Sequence, residues 1–438
     1  MPSHTPGPRG LPVVGNLHRL ARDPLGFVSS VPKDYGDVTR CKVAGLTYVQ
    51  IADPALADHV LRAHKADLVR DRTTKGLEAV LGQGLLTSDG PRWKRQRRLI
   101  APSFTPKQLA GYADIMRASA ARRLPPTGDR NIHKDTGDVA LDIVIRTLFG
   151  TDVADETQRV GPLLDEMMSA FKRENRTVWR MIPRWVPARH RRRVDRLKRE
   201  FHGLLDRLIA RARGGALDDD LLLSRLLAAR DDDGSGMDDA QLRDELITLF
   251  IAGHETTALA LAYTFLLLAE HPEIQERVHA ELDTQEPSDG LRRGQPLDLL
   301  DACIREAMRM YPPAWAFARE ATADIDVDGH TLHAGEQLMV SPWVLHHDPR
   351  WWVGPERYRP DRWLNGETDT LPKGAFMPFG AGPRVCVGQY FAWMELRLVA
   401  ETWLRSRRVL PYPGPAPRLL PAVTLRPADG VRVRLEAR

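Results

Sequence analysis

From about residue 90 to 285, apolar residues recur every three to four positions, the spacing of helices with one buried face. The pattern is clearest at 92–100, 107–123, 136–148, 159–174 and 191–212, each predicted helical. Alternation with period two is confined to short runs. Residues 38–41 and 47–51 read as a hairpin, followed by a helix from Pro54 to about His64. The rest of the N-terminal stretch, to about residue 60, shows turn signals and strand-like runs.

The longest helix is predicted to start at Asp238, a good N-cap, and to stop at His271-Pro272. At about 1.5 Å per residue it spans roughly 48 Å. Its stretch 246–268 is apolar except where Gly253, His254, Glu255, Thr256 and Thr257 interrupt it, so it reads as a buried helix rather than a membrane span. A further helix at 297–310 is stopped by Tyr311-Pro312-Pro313. Residues 315–341 read as short strands with a turn at Asp328-Gly329, and 342–385 as a loop. A last helix is expected from Gln389 to Leu404, then a strand-turn tail. The fold class is mainly α with a small β region, in one large domain over 1–438.

Composition narrows the function. An apolar share of 42% suits a globular protein. The net charge of +5 is concentrated in pieces such as 189–198, where Val194 and Leu197 share a helix face. A solvated basic helix, not nucleic-acid binding, follows. Residues 1–17 lack the apolar core of a signal peptide or transmembrane anchor. Cys41, Cys303 and Cys386 are far apart and odd in number, which points to a reducing cytoplasm and excludes a cysteine zinc site. A cysteine with a chemical role here works alone.

That cysteine is Cys386. It lies in Phe379-Gly380-Ala381-Gly382-Pro383-Arg384-Val385-Cys386-Val387-Gly388, just before the last helix. Glycines and proline make a tight loop that can present a thiolate, and a helix N-terminus favours that form. A phosphate loop fails here, because Pro383 removes an N–H and the third glycine is missing; Gly82-Gln83-Gly84 fails likewise. The run matches F-x-x-G-x-R-x-C-x-G at every fixed place and resembles the cytochrome P-450 family. Three further elements follow in that family's order: Trp93-x-x-x-Arg97, Ala252-Gly253-His254-Glu255-Thr256-Thr257, and Glu306-x-x-Arg309 with a later arginine loop bearing Arg362.

The resemblance implies a P-450 fold with its haem-binding core at roughly 240–405. It implies haem b on Cys386, and a monooxygenase that inserts one oxygen atom of dioxygen into a lipophilic terpenoid, fatty acyl or macrolide substrate. Trp93, Arg97, Arg319 and Arg384 would reach haem propionates, Gly253 would allow close approach, and Phe379 would flank the ligand loop. Glu255 and Thr256 would be the catalytic acid–alcohol pair; Glu306, Arg309 and Arg362 would form a structural triad. Pocket candidates are Leu85, Leu86, Leu249, Phe250, Ala314 to Phe317, Ala422 and Val423. With no flavin or ferredoxin segment following, electrons would come from a ferredoxin or flavodoxin with its reductase. Lys94, Arg95, Arg397 and Arg405 would dock it to a monomer. A peroxide-using haem-thiolate enzyme and a non-enzymatic haem sensor are the alternatives.

Overall fold

In a computed structural model, the residues described are 5–150, 163, 166, 189–215, 217–288, 290 and 298–438. Two compact units are distinguished: Met1–Arg72, Met116–Val139 and Glu255–Arg438 form the first, Thr73–Ile115 and Ala140–His254 the second.

The first unit contains a mixed sheet. Strands β1 (Val38–Val43) and β2 (Leu46–Ile51) pair antiparallel with Val38 opposite Ile51. Their turn puts Ala44 at φ 51° and Gly45 at φ 80°, the positive pair that a two-residue hairpin requires. Strands β3 (Leu68–Arg70), β4 (Gly128–Asn131) and β5 (Phe317–Ala321) follow. The hairpin β6 (Ile325–Val327) and β7 (His330–Leu332) turns at Asp328-Gly329, as the sequence predicts. Strand β8 (Gln337–Val340) runs parallel to β2 and antiparallel to β5, giving the order β1-β2-β8-β5-β3. Near the C-terminus, β9 (Arg407–Pro411) joins β12 (Arg432–Ala437) and β4, while β10 (Leu419–Pro421) and β11 (Leu425–Pro427) form a hairpin. Val49, Ile51, Val60, Leu61, Leu338 and Val340 build the core under the main sheet.

Helix boundaries follow local chemistry. Asp53 caps Pro54–Ala63 by accepting from the Leu56 N–H at 2.7 Å, and Asp298 caps Leu299–Met310 through the Asp301 N–H at 2.9 Å. Asp238 caps the central helix, Asp239–Glu270, by accepting from the Gln241 N–H at 2.7 Å. The helix ends before Pro272, which opens the next helix at its first position. By length and composition it could cross a membrane, yet 61% of its most apolar window is buried within the structure.

Three stretches depart from expectation. Pro24–Tyr35 is helical, capped by Asp23 and burying Phe27, Val28 and Val31, where the sequence suggests turns and strands; Pro32 inside it breaks the usual helical signature. The predicted helix 107–123 is three pieces, Pro106–Leu109, a 3-10 turn at Ala110–Tyr112 and Ala113–Arg122. The loop 342–385 contains a short helix at Pro342–His346 and 3-10 turns. The predicted helix 159–174 lies outside the described residues, Leu163 and Glu166 excepted.

In the second unit, Arg189–Arg213 buries Leu197, Phe201, Leu204, Leu205, Leu208 and Ile209 along one face. Phe250 stacks on Phe149 at 5.6 Å and meets Phe201 edge-on at 6.2 Å, so it is core and not a pocket wall. The loop before Gly90–Ile100 is fastened to the central helix. Asp244 accepts from the Gln83 N–H at 2.8 Å and Glu245 from the Leu85 N–H at 2.8 Å.

Burial pushes the Glu245 carboxyl up to about 8 from an ordinary 4.5, against the opposing Leu85 amide. The folded state thus favours the neutral acid. Stability from this site is complete below about 4.5 and lost as pH rises through about 8. Replacing Glu245 by Gln is expected to remove that decline while keeping an acceptor for Leu85. Thermal midpoints of the two proteins should diverge as pH rises from about 4.5 to about 8 and run parallel above that; curves parallel across the whole window would show that Glu245 does not titrate there.

Candidate functional site

The three thiols occupy different environments. Cys41 and Cys303 are buried, and desolvation raises both, Cys41 to about 11. Cys386 alone is exposed. A thiolate is disfavoured at the first two positions and accessible at the third.

The loop that carries Cys386 is fixed by its own backbone. The Cys386 N–H donates to the Phe379 carbonyl at 3.0 Å, and the Gly380 N–H to the Met377 carbonyl at 3.0 Å. Gly382 sits at φ 70°, where a Cβ would lie 2.8 Å from the Leu61 carbonyl oxygen. Only glycine lets the loop settle against helix Pro54–Ala63 in that conformation. Phe379 packs edge-on against Trp393, whose other neighbour is the Arg305 guanidinium at 4.8 Å. Arg384 is half-buried in the same loop. Helix Gln389–Leu404 begins three residues after Cys386.

Beneath the loop lies a buried charge cluster. Glu306 accepts from Arg309 Nε at 3.0 Å and Nη2 at 2.9 Å, from Arg362 Nε at 3.1 Å and from Trp363 Nε1 at 2.9 Å. All three charged side chains are at most 1% exposed. Trp363 then packs on Phe376 at 4.6 Å, and the following Met377 N–H donates to His346 Nε2. Contacts thus run from Glu306 to the turn at Gly380. The expected structural triad is present.

On the central helix, Leu246, Ile247 and Phe250 are buried, as is every residue from Thr257 to Ala269. Between them, Ile251 to Thr256 are all partly accessible. Small and polar residues therefore form an open strip on an otherwise enclosed helix. Glu255 there is paired with Arg426 and accepts from the Thr424 hydroxyl at 2.8 Å. The residues Ala314 to Phe317 form a second partly accessible strip, with the Trp315 indole donating to the Ala422 carbonyl at 2.8 Å. Phe317 lies 4.0 Å from where a Gly380 Cβ would be, and Arg319 lies over its ring at 5.3 Å.

The first unit thus contains Cys386, Phe379, Arg384, Arg319, Glu255 and Thr256. Trp93, Arg97 and Gly253 belong to the second, where Trp93 and Arg97 lie one turn apart and half-buried on Gly90–Ile100. Two expected docking residues are not available. Arg397 is buried, donating to Asp298 at 2.5 Å and Glu401 at 3.3 Å, and Arg405 is bonded to Glu401 and to the Leu282 and Gln285 carbonyls. Arg95 bonds Gln241, Ser235 and Gly236, which leaves Lys94 exposed. The sequence did not disclose Thr424 and Arg426 as partners of Glu255, because they lie 169 and 171 residues away.

Among the described residues no three His, Cys, Asp or Glu side chains cluster as metal ligands. A metal held at Cys386 must bring most of its own ligands, as haem does, and the accessible thiol on a glycine-shaped loop fits it. An accessible thiol on such a loop is what a haem-thiolate protein requires. The Cytochrome P450 family model matches residues 5–430. The chain is 32% identical to Cyclooctat-9-en-7-ol 5-monooxygenase of Streptomyces melanosporofaciens, over 93% of this chain and 90% of that one. It is 33% identical to Pentalenene oxygenase of Streptomyces avermitilis, over 98% and 97%. The crystal structure of the cytochrome P450DA heme domain superposes with TM-score 0.86 at 25% identity, over 99% of this chain and 98% of that one.

The chain belongs to the cytochrome P450 family. Its fold is the P450 fold, its cofactor is haem b, and it is a monooxygenase.

Because the Cys386 loop is linked by contact to Glu306, Glu306→Gln should loosen both. Removing the charge leaves the Arg309 guanidinium buried without its carboxylate and Arg362 with Glu367 alone, at a cost of about 3–5 kcal/mol. The denaturant midpoint should fall at unchanged m value. A change below about 1 kcal/mol would show that the cluster does not hold the core.

Proposed function

We propose that the protein inserts one oxygen atom of dioxygen into a terpenoid substrate, and that Cys386 would hold the haem that supplies the chemistry. The observation that carries this reading is the exposed Cys386 thiol on its glycine-shaped loop, beside two thiols that burial keeps protonated. The substrate class rests on the two terpenoid-named relatives and on the apolar strip at Ala314 to Phe317. Both units serve one catalytic domain over 1–438, with a haem-binding core at 240–405; the continuous family match over 5–430 supports it.

When bound, haem supplies dioxygen activation, with one atom entering the substrate and the other leaving as water at the expense of two electrons and two protons. The chain's own residues supply the rest. Arg319, Arg384, Trp93 and Arg97 would be the residues to hold the cofactor's carboxylates, each having N–H donors to offer. Gly253 leaves the middle of the central helix without a side chain, and Phe379 shields the thiolate side. Thr256 Oγ1 donates a hydrogen bond on the substrate side, and the Glu255 carboxylate takes up and passes on protons there. Electrons come from a separate ferredoxin or flavodoxin with its reductase; exposed Lys94 is the retained docking candidate for such an acidic partner. The free, buried Cys41 and Cys303 thiols suit the cytoplasm, and the protein acts as a monomer.

Replacing Cys386 by His should move the ferrous–carbonyl Soret band from the long wavelength of thiolate ligation to the shorter one of histidine ligation. An unmoved band would remove Cys386 from the iron. Thr256→Ala should keep haem content, substrate binding and NADPH consumption while diverting reducing equivalents into hydrogen peroxide. Product, peroxide and NADPH measured together decide this, since a merely structural hydroxyl would leave product per NADPH unchanged.

A further inference from the structure

The C-terminal hairpin carries charge that the monooxygenase reading does not use. Arg426, in β11, pairs through Nε with Glu255 Oε1. Thr424 donates to the same oxygen at 2.8 Å and accepts from Arg426 Nε at 3.1 Å. Arg426 and Glu255 are only 15% and 16% exposed, so this pair is shielded from the water and salt that weaken surface ion pairs.

The hairpin's backbone is fastened independently. The Leu425 N–H donates to the Pro313 carbonyl at 2.9 Å, and the Leu425 carbonyl accepts from Tyr263 OH at 3.2 Å. Tyr263 stands on the central helix about two turns after Glu255. The hairpin is therefore in register with the helix at two heights. Thr424 and Arg426 flank buried Leu425, and alternate residues of an extended chain share a face. Both reach Glu255, while Val423 at the tip stays 54% exposed and Ala422 is held by the Trp315 indole.

A carboxylate half-way along an apolar helix is costly to ionise and free to swing unless something holds it. An arginine and a hydroxyl on one oxygen do both: they favour the charge and fix its direction. We propose that Arg426, with Thr424, is a positioning residue for Glu255, holding the carboxylate against the hairpin so that hairpin and acid move together. This rests on the proton-delivery role given to Glu255 above. A lipophilic substrate that touches the hairpin tip would then be sensed at the acid without contacting it.

The test uses the ligand-free holoenzyme for amide hydrogen exchange and the full redox system for product formed per NADPH. Arg426→Gln should speed exchange several-fold at residues 419–427 and lower product per NADPH, with haem content retained. Arg426→Lys should restore both, which a purely packing role would not predict. Thr424→Val, a milder change, should move both in the same direction as Arg426→Gln. In the Glu255→Gln/Arg426→Gln protein, the loss should not exceed that of Glu255→Gln alone. Wild-type exchange in Arg426→Gln, or additive losses in the double variant, would overturn the proposal. Slowed turnover in Glu255→Gln with unchanged hairpin exchange in Arg426→Gln would sink the tether and leave proton delivery intact. Faster exchange in Arg426→Gln with undiminished turnover in Glu255→Gln would instead sink the proton-delivery role.

Discussion

Glu306 sits at no measurable exposure and compensates two arginines that are equally buried. Taking three charges out of water is tolerable only if most of their donors find acceptors at close range. That requirement brings distant segments together. Arg309 comes from the same helix, Arg362 and Trp363 from a later loop, and Arg309 also reaches the His346 carbonyl at 2.8 Å. His346, in turn, accepts from the Met377 N–H just ahead of the cysteine loop. The thiol's position is thus set by electrostatics beneath it as much as by the glycines around it.

Those glycines work by subtraction. At Gly382 a side chain would collide with the Leu61 carbonyl, and at Gly253 it would come within 3.2 Å of Val144. One absence lets a loop lie against a helix; the other keeps the central helix bare where its buried pattern opens. The chain's third thiol, exposed, is carried on that closely seated loop.

What could be read from the sequence was local. The cysteine loop, the Glu306–Arg309 spacing and the cap at Asp238 depend on neighbours within a few residues, and the structure shows each. The helix Pro24–Tyr35 was hidden because Pro32 contradicts its period. Arg397 looks like one more surface arginine on a basic chain, and its burial is decided by Asp298, 99 residues away. Phe250 has the apolar character of a pocket residue, but its ring partners Phe149 and Phe201 lie on other helices. Periodicity reports which face of a helix is buried, not what buries it.

The central helix shows the same limit at the point that matters most. Its polar residues could each be recognised as expensive, but not how each expense is met. Thr264 bonds back to the Ala260 carbonyl at 2.8 Å, a local solution that bends nothing else into place. Earlier in the helix, the Ala258 carbonyl accepts from Thr136 of another helix at 2.9 Å. Glu255 draws on the most distant partners of all, in a hairpin near the end of the chain. A charge needs a counter-charge, and no residue within a turn of Glu255 on its own helix is an arginine or lysine. The counter-charge must therefore come from elsewhere in the fold, and whichever segment supplies it is tied to the acid. Here that segment is also the one whose tip stands exposed beside Trp315.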